Sequence, residues 1–262
     1  MSNILLRCLL PSVSPTLSNA LLFTYSPFCY TGHCEIKNVG VHHNELSGFR
    51  FDDNAEGFVE GCESYNNKQY GMASSRSSSP TIVNSLFHGA ESIGFHFSLK
   101  SSGSVKGCEI RNMRDGIFCD DWADPQVFGN SIHDCSVSGV KVGENGQGRF
   151  EENMIVGCDQ GVVVHMAGSY PFFAKNTMRD SIQSGIHMEH ASGGIFDNNE
   201  VFNNGLNGFT VENSACPVAK NNKIYNNKGN GLEFKPSSAG AISDNSIHGN
   251  GNDGIRMSKT GT

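Results

Sequence analysis

Imidazole and carboxylate side chains recur in the second half of the chain at a nearly constant spacing. His165, Glu189 and Glu212 lie 24 and 23 residues apart, and His187 and His190 flank Glu189. If this spacing brings the side chains together, they could bind a metal ion or perform general acid–base catalysis, because both tasks need imidazole and carboxylate groups close to one another. The alternative interpretation, which the sequence favours, is a solvated polar face that performs no chemistry.

A second polar group lies upstream, where Asp120 and Asp121 precede Trp122, the only tryptophan of the chain, and Lys141 follows. Carboxylates beside an indole ring would suit the edge of a sugar-binding site, because an indole offers an apolar face with a polar tip. A turn that packs the indole against the protein is the simpler interpretation, and we expect it. A catalytic site would use Asp120, Asp121, Lys141, His165, His187, Glu189 and Glu212. We expect neither a bound metal nor a cofactor.

The elements that position these residues follow from a repeat. Asparagine recurs six times with every interval 23 residues, and an apolar residue stands two positions after each one. The six are Asn130, Asn153, Asn176, Asn199, Asn222 and Asn245. Self-similarity at a fixed period of this length indicates a stacked repeat architecture, in which each repeat is one structural unit.

Each repeat contains about three short runs in which apolar and other residues alternate, and this alternation indicates strands. Gly, Asn, Asp and Ser, which favour turns, separate the runs. Strands repeated at fixed length lie beside their counterparts in the next repeat and pair in parallel, about 4.8 Å apart. The sequence therefore predicts an all-β solenoid, a single-stranded parallel β-helix of about ten 23-residue coils, with the asparagines stacked at a bend.

A glycine followed by apolar–x–apolar marks one strand in each coil, from Gly48 to Gly254. Successive side chains of a strand point to opposite faces, so the residues two and four positions after each glycine point outward. We call the sheet made by these strands the glycine-led sheet. Its predicted binding face comprises His96, Phe118, Lys141, His165, His187, Glu189, His190, Glu212 and Glu233.

The repeat also predicts the domain organisation. Residues 1–34 contain no acidic side chain and lack the pattern, so we expect an N-terminal cap or irregular first coil there, because terminal repeats are atypical. Residues 35–262 form the parallel β-helix repeat domain. The last glycine-led strand is followed by too few residues to close a coil, so we expect an open C-terminal edge that could pair with a second copy.

Charge and cysteine content limit the partners and the compartment. The net charge of −7 argues against nucleic acid, which needs a basic surface. No apolar run is long enough to cross a membrane. Most of the nine cysteines fall at inward positions, and Cys135 and Cys158 share one repeat position, close enough for a disulfide but more typical of buried thiols. We therefore expect a reducing, cytoplasmic location.

Two kinds of segment carry a family resemblance. Residues 143–148 read GENGQG and are followed by EEN at 151–153, while residues 169–176 and 215–222 share an S-x-P or A-x-P start and a final Asn. These coils resemble the β-helix repeats of F-box only protein 11 and its relatives, over most of residues 48–257. The resemblance implies a right-handed, pectin-lyase-like β-helix. In that family, the region is regarded as the substrate-recognition part of a ubiquitin ligase.

The same fold also occurs in pectate lyases, polygalacturonases and uronate epimerases. Asp120-Asp121 is similar to the paired aspartates of polygalacturonases, but no Gly-His-Gly or Arg-x-Lys follows. The Asp-Pro-His of epimerases is absent, since Gln126 follows Asp124-Pro125. We therefore expect a non-catalytic protein-interaction module whose long face recognises a protein partner. The alternative is a carbohydrate-active enzyme or sugar-binding protein of lyase, hydrolase or epimerase type that uses the His/Glu/Asp cluster.

Overall fold

The structure is a computed structural model that describes residues 16–17, 28–29, 33–89 and 93–258. Its strands form three parallel sheets, each running the length of the solenoid. Sheet A comprises Thr16–Leu17, His33–Lys37, Glu56–Glu60, Thr81–Val83, Ser104–Lys106, Gln126–Phe128, Arg149–Glu151, Phe172–Ala174, Gly193–Asp197, Cys216–Lys220 and Ala241–Ser243. Sheet B comprises Gly40–His42, Glu63–Tyr65, Leu86–His88, Glu109–Arg111, Ser131–His133, Met154–Val156, Thr177–Arg179, Glu200–Phe202, Lys223–Tyr225 and Ser246–His248. The glycine-led sheet comprises Phe28–Cys29, Ser47–Phe51, Tyr70–Ser74, Ile93–Phe97, Asp115–Cys119, Ser138–Val142, Gln160–His165, Ile186–Glu189, Phe209–Val211, Leu232–Phe234 and Ile255–Met257.

The chain visits the sheets in the order A, B and glycine-led in every coil, and each strand pairs in parallel with its counterpart one coil away. Sheet A pairs Val127 with Phe150, a step of 23 residues. The glycine-led sheet pairs Val140 with Val162 and sheet B pairs Ile132 with Ile155. The prediction of an all-β parallel β-helix of about ten coils is confirmed.

Inward-facing side chains from the three sheets form the core as continuous columns. In sheet A, the rings of Phe150, Phe173 and Phe196 are fully buried and stack face to face, with centroids 4.5 and 5.3 Å apart. Offset stacking of aromatic rings adds to the free energy gained from burial. Cys135 and Cys158 are free, buried thiols, and their mutual hydrogen bond, together with burial, raises the pKa of Cys135.

The asparagine column lies at the bend between sheets A and B. The side-chain oxygen of Asn176 accepts hydrogen bonds from both the backbone N–H and the side-chain amide of Asn153, at 2.9 and 3.0 Å. The Asn176 side-chain amide in turn donates to Asn199 and to the carbonyl oxygen of Phe150. The buried amides therefore satisfy the backbone at a bend that no sheet ladder covers.

The glycine marker reflects a close approach between neighbouring coils. A Cβ atom added at Gly116 would lie 2.5 Å from the carbonyl oxygen of Gly139 and 2.6 Å from Ile132 of sheet B. Only glycine fits where the chain enters this strand, so the marker fixes the strand's position in each coil. The residues two and four places later then point away from the core, as their half-buried or exposed state shows along most of the column.

The predicted cap at residues 1–34 lies mostly outside the described residues and stays a prediction. Two short strands of that segment are described, and they pair with Glu35–Ile36 and with Arg50–Phe51 of the following coil. Across the described chain, no helix has the length and apolar character needed to span a membrane.

Candidate functional site

The strand register brings the sequence-predicted histidines and carboxylates onto the outer face of the glycine-led sheet. His165 pairs with Glu189 of the next coil, and His187 lies between Val163 and Thr210 in the neighbouring outward column. Because the repeat places equivalent side chains above one another, residues 22 to 24 apart in sequence become neighbours. We call His165, His187, Glu189, Glu212 and Lys235 the downstream cluster.

His187 and Glu212 form the centre of the downstream cluster. The imidazole Nε2 of His187 lies 3.0 Å from Oε1 of Glu212, and Nδ1 lies 2.8 Å from the side-chain oxygen of Gln160. The Lys235 ammonium donates to the other oxygen of Glu212 at 2.5 Å. Both His187 and Glu212 are about four-fifths buried, so water screens their interaction less than it would at a fully exposed site.

Charge and burial act in opposite directions on Glu212. Burial alone would raise the pKa of its carboxyl group, but hydrogen bonds from Lys235 and then His187 outweigh burial and lower the pKa below its ordinary value of 4.5. Glu212 is therefore a carboxylate at neutral pH. It holds the imidazole ring of His187 in one orientation, as a carboxylate does for a histidine that transfers protons.

His187, Glu189 and Glu212 could together hold a metal ion, because one ligand atom from each lies within 4.8 Å of the others. Imidazole and carboxylate ligands suit Zn²⁺ and other transition metals. The Lys235 ammonium already occupies one oxygen of Glu212, however, and His190 Nδ1 lies 3.1 Å from a Glu189 oxygen. A cation would have to displace these groups, so the arrangement favours proton transfer over metal binding.

His165 lies over the preceding coil at Gly143, the one glycine in its column among the described residues. A Cβ atom at Gly143 would lie 2.3 Å from Nε2 of His165, so the imidazole ring occupies the space where a side chain would stand. Nε2 is buried and has no hydrogen-bond partner among the described residues. Burial, and then the positive charge of Lys141, lower the pKa of His165 below 6.5, so this imidazole is neutral at neutral pH.

A second group lies on the same face, one to four coils before His165; we call Tyr70, His96, Phe118, Asp120 and Lys141 the upstream cluster. His96 Nε2 is 3.2 Å from an oxygen of Asp120, and its ring stacks between Tyr70 and Phe118 with centroid distances of 5.0 and 5.3 Å. The Lys141 ammonium lies 5.3 Å from the centroid of the Phe118 ring, a favourable cation–π distance. The upstream cluster therefore forms a continuous row of side chains that ends next to His165. The row contains aromatic rings, an imidazole–carboxylate pair and an ammonium group.

Asp121 lies apart from these clusters, and Glu233 and His190 lie at the edge of the downstream cluster. Asp121 has a positive φ of 46° in the turn that leaves the sheet. Glu233 accepts from the side-chain amide of Asn207 and lies near Arg256, further along the rod. His190 follows the last residue of its strand and pairs with Glu189. The packed indole predicted for Trp122 is wrong, because its side chain is 58% exposed in a turn with positive φ, where it points away from the core.

Sequence reasoning missed Tyr70, Gln160 and Lys235 as members of the site. Lys235 stands four residues after Gly231, so its outward position was available from the glycine rule. Tyr70 and Gln160 directly precede marker glycines and are half-buried, whereas the residue at that position is buried in most other coils. The repeat therefore gave no rule that predicted these two side chains as members of the site.

Comparison with known proteins identifies the family. The family model described as right handed beta helix region matches residues 29–177 and 164–262. These matches span most of the chain, which therefore belongs to the right-handed β-helix family, and the predicted pectin-lyase-like fold is confirmed. No curated protein matches the sequence.

Several solved structures share the fold at low sequence identity. The periplasmic alginate epimerase AlgG is 14% identical with a TM-score of 0.72, over 92% of this chain and 78% of that chain. Pectate lyase Pel9A is 12% identical with a TM-score of 0.56, over 92% and 68%. An alginate lyase from Paenibacillus sp. str. FPU-7 is 12% identical with a TM-score of 0.51, over 89% and 100%.

These similarities correct the functional expectation. The prediction of a non-catalytic protein-interaction module is wrong, because the structural neighbours are carbohydrate-active β-helix enzymes and support the alternative interpretation. The error came from the absence of polygalacturonase and epimerase motifs. Those motifs are one way to place acid–base groups on this sheet, and the downstream cluster assembles imidazoles and carboxylates from other residues.

Proposed function

We propose that the protein is a carbohydrate-active enzyme that binds an acidic polysaccharide along the glycine-led sheet and transfers protons with the downstream cluster. The observation that carries this proposal is the half-buried His187–Glu212–Lys235 group beside the neutral imidazole of His165. Perturbed titratable groups gathered on one face are typical of catalytic sites. The structural neighbours act on alginate and pectate, which are acidic polysaccharides, and the fold likeness adds support by analogy.

The cationic side chains match an acidic substrate despite the net charge of the chain. Lys141 and Lys235 flank the stretch of sheet that contains His165 and His187. Lys235 is already paired with Glu212, so the Lys141 ammonium, which forms no ion pair with a described residue, would stabilise a carboxylate on a bound sugar. It acts locally, while acidic residues elsewhere on the chain are screened by salt. The rings of Phe118 and His96 provide apolar surface beside the same path.

The two histidines have different chemical roles in this proposal. His165 is neutral at neutral pH, and its Nδ1 atom, rather than the buried Nε2, serves as the base that removes the proton next to the sugar carboxylate. His187 faces acceptors at both ring nitrogens, so it serves as the donor that returns a proton. In a lyase, the electron pair of the broken C–H bond forms a C=C bond as the glycosidic C–O bond breaks, and His187 protonates the departing oxygen. In an epimerase, the proton returns to the same carbon.

The test is incubation with polymannuronate, alginate and polygalacturonate in heavy water, with NMR detection of the products. We expect deuterium at the carbon next to the carboxylate, or unsaturated chain ends, and His165→Ala and His187→Ala should abolish either product. His133→Ala is a matched control, since that histidine pairs with Glu109 and Asp134 on sheet B. New reducing ends without deuterium or unsaturation, or no reaction on any substrate, would refute proton abstraction.

Location and partners stay predictions. The seven described cysteines are free, which favours a reducing compartment such as the cytoplasm, whereas the AlgG neighbour is described as periplasmic. The predictions of a protein partner, of self-association through the C-terminal edge, and of no nucleic-acid or membrane partner are likewise untested. Fractionation of the source cells and light scattering of the purified protein would test location and self-association.

A further inference from the structure

A concavity lies on sheet A, on a different face of the rod from the downstream and upstream clusters. Its volume is about 350 Å³, and a second hollow of about 370 Å³ continues from it along the sheet through shared residues. The residues that matter for its chemistry are Asp124, Gln126, Gln147, Arg149, Tyr170 and Phe172. The proposed enzymatic function uses none of these side chains.

The ring of Tyr170 forms one wall of the concavity. It is 47% exposed, so its ring is accessible to a ligand. A Cβ atom at Gly193 of the next coil would lie 2.6 and 2.8 Å from two ring carbons, so the ring rests on a position that only glycine leaves open. One face of the ring is thus supported by the backbone, and the other face is presented to the concavity.

Arg149 and Phe172 form the floor. The guanidinium carbon of Arg149 lies 4.4 Å from the centroid of the Phe172 ring, and Arg149 also pairs with Glu151 in its own strand. These two contacts hold the guanidinium group flat against the sheet. They also balance its charge, so the floor presents N–H donors without a net positive charge.

Polar groups around the rim remain available to a ligand. The side-chain amide nitrogen of Gln147 donates to the carbonyl oxygens of Asn145 and Gly168, at 3.2 and 2.9 Å, which leaves its oxygen as a free acceptor. The side-chain carboxylate of Asp124 and the side-chain amide of Gln126 have no hydrogen-bond partner among the described residues. The rim therefore offers both donors and acceptors beside an exposed ring.

This combination distinguishes between ligand classes. A sugar residue has an apolar C–H face, which can pack on the ring of Tyr170. Its hydroxyl groups both donate and accept hydrogen bonds, and they match the donors and acceptors around the rim. In the first hollow, an acidic sugar would meet the unpaired carboxylate of Asp124, and the cation that lines this hollow, Arg149, is already paired with Glu151. A peptide strand would need an open sheet edge, and the strands Gln126–Phe128, Arg149–Glu151 and Phe172–Ala174 are paired on both sides.

We propose that the concavity on sheet A is a binding site for a neutral sugar residue, separate from the site on the glycine-led sheet. Because the hollow continues past Gln126 and Arg149, it suits a chain of several sugars better than a single sugar unit. The site binds through ring stacking and hydroxyl hydrogen bonds and carries out no reaction. It does not depend on the proposed enzymatic function.

The experiment is a titration of the protein with neutral tetrasaccharides of glucose, mannose and xylose, followed by calorimetry and by tryptophan fluorescence. Trp122 is the single tryptophan and lies two residues before Asp124, so its emission reports on the rim. We expect at least one tetrasaccharide to bind. Tyr170→Ala should then weaken binding by about threefold to tenfold, the usual contribution of one aromatic contact, and Gly193→Ala should also weaken it by displacing the ring.

Two control variants make the outcome decisive. Tyr225→Ala removes a stacked tyrosine from sheet B, and His187→Ala disrupts the downstream cluster; both should leave tetrasaccharide affinity unchanged. Tyr170 is largely exposed, so its variant is expected to fold, and a cooperative melt confirms this. The proposal is overturned if no tetrasaccharide binds, if Tyr170→Ala binds as well as the wild type, or if only His187→Ala loses binding.

Discussion

Gly143→Ala tests the arrangement of the downstream cluster with a single added methyl group. The new Cβ atom would lie 2.3 Å from Nε2 of His165, whereas ordinary van der Waals contacts lie at 3.4–4 Å. The imidazole ring must therefore move by at least about 1 Å. Because Gly143 has no left-handed φ, the backbone accepts alanine without strain, and the change acts through His165 alone.

The displacement has two measurable consequences. A misplacement of about 1 Å at a reacting group costs roughly 100-fold in rate, so turnover of the acidic polysaccharide should fall by that order. Movement toward solvent also removes the burial that lowers the pKa of His165, so the pKa should rise toward its ordinary value of 6.5. The base then becomes protonated at higher pH, and the acid limb of the activity profile shifts upward.

NMR titration of the histidine ring protons measures the pKa directly, alongside the activity profile. Gly40→Ala is the matched control, because a Cβ atom there meets nothing within 4 Å and should leave both quantities unchanged. An unchanged pKa of His165 together with wild-type turnover in Gly143→Ala would refute the reasoning. A loss of turnover that also appears in Gly40→Ala would refute it as well.

Three further predictions follow from the contacts. Asn176→Ala should lower the free energy of unfolding by about 3 kcal/mol, because it leaves several buried N–H and C=O groups unpaired, while Asn252→Ala, at an exposed position without a left-handed φ, should have little effect in urea melts. Lys235 and His187 hold the pKa of Glu212 below 4.5, so the charged form contributes stability above that pH that is lost as the pH falls, and thermal melts of Glu212→Gln should lack this loss. Because the Lys235 ammonium is bound to the Glu212 carboxylate, we expect chelators to leave activity intact and Zn²⁺ to bind appreciably only to the Lys235→Met variant. Calorimetry that showed tight Zn²⁺ binding to the wild type would contradict this expectation.

The fold and the surface columns could be predicted because both depend on the period alone. Once Asn153 and Asn176 are known to stack, residues one coil apart become neighbours. The glycine marker then fixes the register where coils contain 22 or 24 residues, and it also fixes which side chains face outward. On this basis the sequence predicts that His165 and Glu189 lie in register, and the structure confirms this pairing. Parallel pairing of successive coils of nearly constant length leaves the chain no other arrangement.

The chemistry of the site could not be predicted in the same way, because it depends on which side-chain atoms meet. The period places His187 near Glu212 and Lys235. It does not show that Gln160 lies at one ring nitrogen of His187 and Glu212 at the other. The exposure of Trp122 depends on a left-handed turn that tryptophan rarely adopts, and no sequence rule predicted it. The resemblance of the repeats to another family predicted the fold correctly and the function incorrectly. The residues that the repeats share are those that stack the coils, whereas the function depends on other residues at the surface.

The asparagine column has a direction as well as a period. Each side-chain oxygen accepts from the coil before it and each side-chain amide donates to the coil after it, so all the carboxamide dipoles align along the rod and polarise one another. If aspartate replaced any one asparagine, its carboxylate oxygen would face the side-chain oxygen of the next asparagine, and both are acceptors. The column of hydrogen bonds would be interrupted at that coil. Whole 23-residue units can therefore be duplicated or deleted while the remaining asparagines keep their hydrogen bonds. A unit that ran in the opposite direction would place its asparagine where neither neighbour offers a matching donor and acceptor.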